Sequence, residues 1–209
     1  MEKKIQTLSR RQGKQEREKL KKQLAKLNAV FGVDLHELAE RDGKAIPSIV
    51  THSIAHIEAK GLKQEGIFRV SGIQREVDAL RERYDNGEEV NLKDKDVHTV
   101  TSLLKLYFRE LPEPLLTFSL YQHCLAISKH YTNEKKKPLY YRVLVHSLPI
   151  YNRLVLLKLL AFLYTCSLDE EVNQMSADNL ALVFSVNILR PLICNEKVLF
   201  AESTKINKA

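Results

Sequence analysis

The residue of this sequence best suited to act on another molecule is Arg69. It lies in a short loop between two predicted helices, and Gly66 and Gly72 flank it. Its apolar neighbours are expected to anchor the loop: Ile67, Phe68 and Val70. An arginine on a short, rigid loop keeps its five guanidinium donors directed at a partner. Taken alone, however, an arginine in a loop is most often an ordinary solvated charge.

Two cations, Lys105 and Arg109, lie one turn apart on one face of a predicted helix. They are displaced from the apolar stripe that contains Leu104 and Phe108. Like charges at this spacing repel mildly, so the pair favours acidic neighbours or a partner molecule. A solvated surface is the alternative interpretation.

Asn187 interrupts an apolar pattern near the end of the chain. It falls seven residues after Leu180, on a helical seam with Val183 and Phe184, where an apolar residue is expected. A buried amide costs stability unless it finds hydrogen-bond partners. Asn187 is therefore either a satisfied core or C-terminal capping residue, or an amide offered to a docked protein.

The elements that must position these side chains are predicted to be helices. Glycine (7) and proline (6) are scarce, and apolar residues recur at helical spacing. One helix begins at Pro47 and ends at Gly61. The next begins with a capping box of Ser71 and Gln74. Its apolar seam is Ile73, Val77, Leu80 and Tyr84. Further helices are predicted at 96–110, 120–129, 137–147, 153–166 and 177–189, and the beginning of another at 198–209.

The basic character of the chain belongs to one segment. Residues 1–28 contain ten Lys or Arg and three Glu, which accounts for the whole net charge of +7. Of the 33 basic and 26 acidic residues in the chain, 23 of each remain, so residues 29–209 are neutral. The body of the chain therefore shows no signal for nucleic acid. The extension at 1–28 is expected to be a solvated helix or disordered linker, with weak contact to an anionic membrane or the extension of a coiled coil as the alternatives.

Several classes of protein are disfavoured. Three widely spaced cysteines do not form a disulfide framework, and the N-terminus is too charged for a signal peptide, so we expect a cytoplasmic protein. The apolar run at 154–164 is too short to span a bilayer. His52 and His56 lack a third metal ligand, so no metal site is predicted, and both are expected on a polar helix face. The sequence also lacks the phosphate-binding and hydrolase motifs G-x-x-x-x-G-K-[ST], G-x-S-x-G and H-E-x-x-H.

Three segments, taken in order, resemble the RhoGAP domain family. They are Gly-Ile-Phe-Arg-Val-Ser-Gly at 66–72, Leu-Lys-Leu-Tyr-Phe-Arg-Glu-Leu-Pro-Glu-Pro-Leu at 104–115, and Asn-Leu-Ala-Leu-Val-Phe at 179–184, which continues to Asn187. Phe31-Gly32-Val33 is similar to the usual opening of the family. The resemblance runs from about Phe31 to the C-terminus. We therefore assign 29–209 to a single RhoGAP-like domain whose last helix is truncated.

The resemblance implies an all-α domain that activates a Rho- or Rac-family small GTPase and is not itself the hydrolase. Arg69 would be the arginine finger, supplied in trans. Arg109 would steady the finger loop together with Gly66 and Phe68. Lys105 and Asn187 would contact the GTPase. The domain would need no cofactor of its own, because the partner carries GTP and Mg²⁺.

One departure from the family leaves other functions open. Ser185-Val186 precedes Asn187, where the family often has Gly-Pro. A module of the same fold that binds a GTPase without activating it is the main alternative. A helical scaffold whose basic extension at 1–28 binds acidic lipid or nucleic acid is the second. A self-sufficient hydrolase has the least support, and recruitment of the protein to membrane or cytoskeleton stays open.

Overall fold

Helices account for all the regular secondary structure of residues 27–130 and 136–192, the part of the chain that the computed structural model describes. Nine helices lie within these residues: α1 (Leu35–Asp42), α2 (Ser48–Lys60), α3 (Gln74–Asp85), α4 (Val97–Glu110), α5 (Phe118–His130), α6 (Lys137–Ser147), α7 (Ile150–Ser167), α8 (Glu170–Asn173) and α9 (Ala177–Ile188). The predicted all-α fold is confirmed. The predictions for residues 1–26 and for a helix at 198–209 lie outside the described residues.

Helix α4 is the central element, because α2, α3 and α9 all pack against it. The carboxylate of Asp96 accepts a hydrogen bond from the Thr99 N–H and so caps the first turn. The buried face is the predicted one and includes Val100, Leu104, Tyr107 and Phe108. The helix ends at Glu110, just before Leu111-Pro112, as predicted. Lys105 and Arg109 therefore project from a rigid core helix.

The boundaries of the other helices lie close to the predicted ones. Helix α6 matches its prediction, and α9 ends one residue earlier than predicted. Helix α7 begins three residues earlier, directly after Pro149, since proline is already in a conformation suited to a helix start. Helices α1 and α8 are not predicted from the sequence. A signal for α1 exists in Asp34, whose side chain accepts from the His36 N–H, and in Gly43, which ends the helix at φ +64°.

Helix α7 has the length and composition to cross a membrane, the only such helix among the described residues. The apolar run at 154–164 is thus part of a longer helix than predicted. In this structure one face of α7 lies in the core, where Val155, Leu159, Phe162 and Cys166 are buried, whereas Leu157, Leu160 and Tyr164 of the same helix are exposed. Burial raises the pKa of the Cys166 thiol to about 12, which keeps it protonated.

His52 and His56 lie one turn apart on α2 but in different surroundings. His52 Nδ1 lies 3.2 Å from the Tyr84 hydroxyl oxygen. His56 is buried, so its placement on a polar face was wrong. Burial is the main cause that lowers the pKa of both histidines. Within residues 27–130 and 136–192 no group of three His, Cys, Asp or Glu side chains could hold a metal ion.

The capping box predicted at the start of α3 is wrong. The helix begins at Gln74, and the residue before it, Ile73, is extended and makes no side-chain capping bond. Ile73 is 59% exposed, whereas Val77, Leu80 and Tyr84 form the buried seam as predicted. The capping box does not form because side chains of α4 bind the backbone N–H groups just before α3. The Gly72 N–H donates to Ser102 Oγ (2.9 Å) and the Ile73 N–H to Thr99 Oγ1 (3.4 Å).

Gly72 joins the loop to α4 by close backbone contact. A Cβ atom built on Gly72 would lie 2.3 Å from Thr99 Cα and 2.6 Å from the His98 carbonyl oxygen. Only glycine allows the two backbones to approach this closely.

We predict that Gly72→Ala lowers the free energy of unfolding by about 3 kcal/mol, because the added methyl meets backbone atoms that cannot rotate away. Gly43→Ala is the matched control. Gly43 has a positive φ, which Gly72 does not, and no atom lies within 4 Å of a Cβ added there, so only the left-handed backbone costs energy, about 1 kcal/mol. Urea unfolding of both variants measures the difference. Equal losses would contradict the close contact.

Candidate functional site

The loop that carries Arg69 is a tight turn closed on Gly66. The N–H groups of Arg69 and Val70 both donate to the Gly66 carbonyl oxygen, each at 2.8 Å. Gly66 has φ +66°, and a Cβ there would lie 2.8 Å from Val70 Cγ2. The turn therefore requires glycine at this position and holds the backbone of Arg69 directly.

Phe68 fixes the direction of the turn. It is fully buried, and its ring makes edge-on contacts with Phe184 (centroids 4.9 Å apart) and Phe162 (5.9 Å). Its φ is +67°, a left-handed conformation that costs an aromatic residue about 1–2 kcal/mol. Burial of the ring and two aromatic contacts of about 0.5–1.5 kcal/mol each offset that cost. With Phe68 directed into the core, Arg69 is exposed.

The anchors of the loop are Ile67 and Phe68, both 0% exposed. Val70, which we also expected to anchor it, is 44% exposed, so that prediction was wrong. The left-handed residue at 68 reverses the chain, and the apolar residues on its two sides do not share a face. Val70 instead adds an apolar contact surface next to Arg69.

Lys105 supports the loop from α4. Its Nζ donates a hydrogen bond to the Phe68 carbonyl oxygen. The side chain is half-buried, and burial, followed by the charge of Arg109, lowers the pKa of the Lys105 ammonium group. Arg109 is exposed, and its guanidinium donates no hydrogen bond to the part of the chain described. The resemblance implies that Arg109 steadies the loop, but in this structure the hydrogen bond to the loop comes from Lys105. A role for Arg109 in a complex stays a prediction.

Asn187 is buried, and its Nδ2 donates to the Val183 carbonyl oxygen of the preceding turn (2.7 Å). It lines a recess of about 320 Å³ between α4, α9 and the end of the loop. Other residues of the lining are Ser71, Gly72, Lys105, Arg109 and Val186. The structure therefore brings Lys105, Arg109 and Asn187 together. Arg69 stands on the adjacent turn rather than in the recess.

The recess is locally positive although residues 29–209 are neutral as a whole. Lys105 and Arg109 face it, and no carboxylate is among its described lining residues. Two cations without a neighbouring acid favour a partner that carries negative charge. Exposed apolar side chains lie next to them, including Val186 at 59%.

Arg190 is a structural residue that the sequence analysis does not identify. Its guanidinium donates to the carbonyl oxygens of Arg109 (3.3 Å), Leu111 and Pro112 (3.1 Å), the C-terminal end of α4. The Leu116 N–H donates to the Ile188 carbonyl oxygen (3.0 Å) close by. The end of α9 is thereby fixed to the end of α4. A cation at a helix C-terminus is a recognisable signal, but not when 79 residues separate it from Leu111.

Asn173 is the second residue that the sequence analysis does not identify. It is fully buried, ends α8, and accepts a hydrogen bond from the Gly66 N–H through its backbone carbonyl (2.8 Å). An asparagine followed by a turn is common on protein surfaces, so its sequence context gives no sign of burial.

Fold and site together define a class of protein: an all-helical domain that presents an arginine on a fixed turn beside a cationic recess, suited to a partner that carries negative charge. The family model for the RhoGAP domain matches residues 47–192. The chain belongs to the RhoGAP family.

Relatives and a solved structure agree with this membership. The chain is 36% identical over 186 residues to Rho GTPase-activating protein gacY of Dictyostelium discoideum, with 88% of this chain and 26% of the relative covered. It is 37% identical over 163 residues to mouse Rho GTPase-activating protein 8, with 77% of this chain and 38% of the relative covered. The crystal structure of human Rho GTPase activating protein 15 matches at a TM-score of 0.80 and 29% identity, over 97% of this chain and 95% of the other. The chain thus spans well under half the length of gacY and of mouse Rho GTPase-activating protein 8.

We predict that Phe68→Ala lowers the free energy of unfolding by about 3–5 kcal/mol, because it leaves a cavity between Phe162 and Phe184. Val70→Ala in the same loop is the control and is expected to change stability by less than about 0.5 kcal/mol. Chemical denaturation measures both. A loss for Val70→Ala as large as that for Phe68→Ala would show that the loop is not held by residue 68.

Proposed function

We propose that this domain accelerates GTP hydrolysis by a Rho- or Rac-family small GTPase and that Arg69 is the arginine finger it inserts. The observation that carries the proposal is the pairing of a fully buried Phe68 with an exposed Arg69 on a turn closed by Gly66. Such a turn presents a guanidinium at little further entropic cost on binding. Membership of the RhoGAP family and the names of the relatives support the choice of partner.

The chemistry requires a positive group from outside the GTPase. During phosphoryl transfer negative charge spreads over the oxygens of the transferred group, and Mg²⁺ neutralises only part of it. An arginine supplied in trans raises the rate by roughly 10³–10⁵-fold. That range corresponds to about 4–7 kcal/mol of activation free energy. In this proposal the partner binds GTP and Mg²⁺ and performs the hydrolysis, and the domain is an activator with no cofactor of its own.

Docking is assigned to the recess beside the turn. Lys105, Arg109 and Asn187 would contact the GTPase there, with Val186 as an apolar neighbour. Lys105 already bonds the Phe68 carbonyl, so its contact with a GTPase would be shared with the loop. Arg109, exposed on the same face, would supply the second charge. We place the activity in the cytoplasm.

A binding module without activating power is the second candidate. Val186 is exposed directly before Asn187, in the stretch where Ser185-Val186 departs from the family pattern. A side chain there changes how closely a GTPase can approach Asn187. Such a module would bind the GTPase and leave its hydrolysis rate unchanged.

We predict that Arg69→Ala abolishes most of the acceleration, a loss of roughly 10³-fold or more in the stimulated rate constant. Arg69→Lys is expected to be severely impaired as well, since the ammonium group lacks the planar fork. Binding is expected to persist in both variants. Single-turnover GTP hydrolysis over a panel of Rho- and Ras-family GTPases measures the effect, with Arg142→Ala, an exposed arginine on α6, as control.

The panel separates the candidates. Acceleration that Arg69→Ala leaves unchanged would refute the finger assignment. A wild-type domain that accelerates no member of the panel, yet binds a GTPase loaded with GDP and aluminium fluoride, would establish the binding module instead.

A further inference from the structure

The turn that carries Arg69 is held at its base by a residue distant in sequence. The Gly66 N–H donates to the backbone carbonyl oxygen of Asn173 at 2.8 Å. The carbonyl of the same Gly66 accepts from the Arg69 and Val70 N–H groups. A single residue, Gly66, therefore joins the hydrogen bond to the Asn173 carbonyl oxygen and the hydrogen bond from the Arg69 N–H. Any displacement of Asn173 is passed to the backbone of Arg69 through Gly66.

The side chain of Asn173 is used completely to hold its own position. Nδ2 donates to the carbonyl oxygens of Leu62 and Cys166, both at 2.8 Å, and Oδ1 accepts from the Met175 N–H at 2.8 Å. The residue is 0% exposed. An amide is the one uncharged side-chain group that can donate twice and accept in a single plane. A fully satisfied buried group of this kind fixes local geometry strongly.

The three side-chain hydrogen bonds of Asn173 and the backbone hydrogen bond from Gly66 join the segments on which the site depends. Leu62 begins the segment that leads into the turn, Cys166 lies in the last turn of α7, and Met175 precedes α9. Helix α9 carries Phe184, which packs on Phe68, and Asn187, which lines the recess. Asn173 thus fixes the turn relative to the helix that forms the docking face.

We propose that Asn173 is a positioning residue for the arginine finger: it sets where Arg69 stands relative to α9 and so determines the rate, not the affinity, of activation. This inference rests on the proposed function. A displacement of about 1 Å in a catalytic group can cost about 10²-fold in rate even when binding is intact. Asn173 touches no substrate and acts only through Gly66 and the turn.

Two variants test the role of the side chain. Asn173→Ser removes the double donor. Asn173→Asp keeps the shape and the acceptor for Met175 but loses the donor when ionised, and it is used if the serine variant does not fold. Asn152→Ser is the matched control, since Asn152 is also buried and donates to a backbone carbonyl, that of Leu115 at 3.1 Å, but lies in the first turn of α7, away from Cys166 in its last turn.

The rate constant of stimulated hydrolysis at saturating domain is expected to fall about 10- to 100-fold for the Asn173 variants, with the half-saturating concentration nearly unchanged. The Asn152 control is expected to keep the wild-type rate even if it melts earlier. In an Arg69→Ala background the Asn173 substitution is expected to have no further effect, because no finger remains to be misplaced. A structural defect alone would lower the active fraction in both backgrounds.

Three outcomes of the rate measurements would overturn the inference: an unchanged rate in a folded variant, a loss confined to affinity, or an equal loss with and without Arg69. Hydrogen exchange of the wild-type chain needs no substitution and no GTPase. The Gly66 amide is expected to exchange as slowly as the core amides of α4, and exchange as fast as that of an exposed residue such as Asn91 would also overturn it. If the wild type activates no GTPase, the proposed function fails, while the exchange result still decides whether Asn173 holds the turn.

Discussion

The insertion of Phe68 between Phe162 and Phe184 is the contact on which the site depends. An aromatic residue adopts a left-handed backbone only where the surrounding packing makes up the cost, and here the surrounding packing comes from α7 and α9. That single conformation places one side chain in the core and the next, Arg69, on the surface. The Lys105 ammonium group bonds the carbonyl between them, so the peptide that links core and surface is itself held.

The rest of the architecture brings distant segments to this peptide. Helix α4 provides Lys105 and the backbone surface against which Gly72 closes. Arg190 fixes the end of α9 to the end of α4, so the two helices that line the recess cannot separate easily. Asn173 binds both the last turn of α7, at Cys166, and the base of the turn, at Gly66. Binding energy spent on organising a flexible loop is lost to affinity and rate. In this fold the loop is organised by core packing before any partner arrives.

Sequence patterns predict the parts of this arrangement that depend on local rules. The buried face of α4, the buried seam of α3 after its first residue, and the all-helical class follow from helical periodicity. The pattern fails where the backbone leaves that period: Val70 and Ile73 are apolar but exposed, because the left-handed Phe68 and the extended Ile73 reset the direction of the side chains. Local rules do not find the bond of Arg190 to Leu111, 79 residues away, or that of Asn173 to Leu62, 111 residues away. Charge and helical spacing located Lys105 and Arg109, whereas the hydrogen bond from Lys105 to the Phe68 carbonyl oxygen is seen only in the structure.

The most direct test of the account is a crystal structure of the domain bound to a Rho-family GTPase loaded with GDP, Mg²⁺ and aluminium fluoride. We expect the Arg69 guanidinium to lie within hydrogen-bond distance of the fluoride ligands, while Phe68 keeps its place between Phe162 and Phe184 and the turn keeps its shape. A complex in which Arg69 remains in solvent, or in which Phe68 leaves the core to let the loop reach the nucleotide, would contradict it.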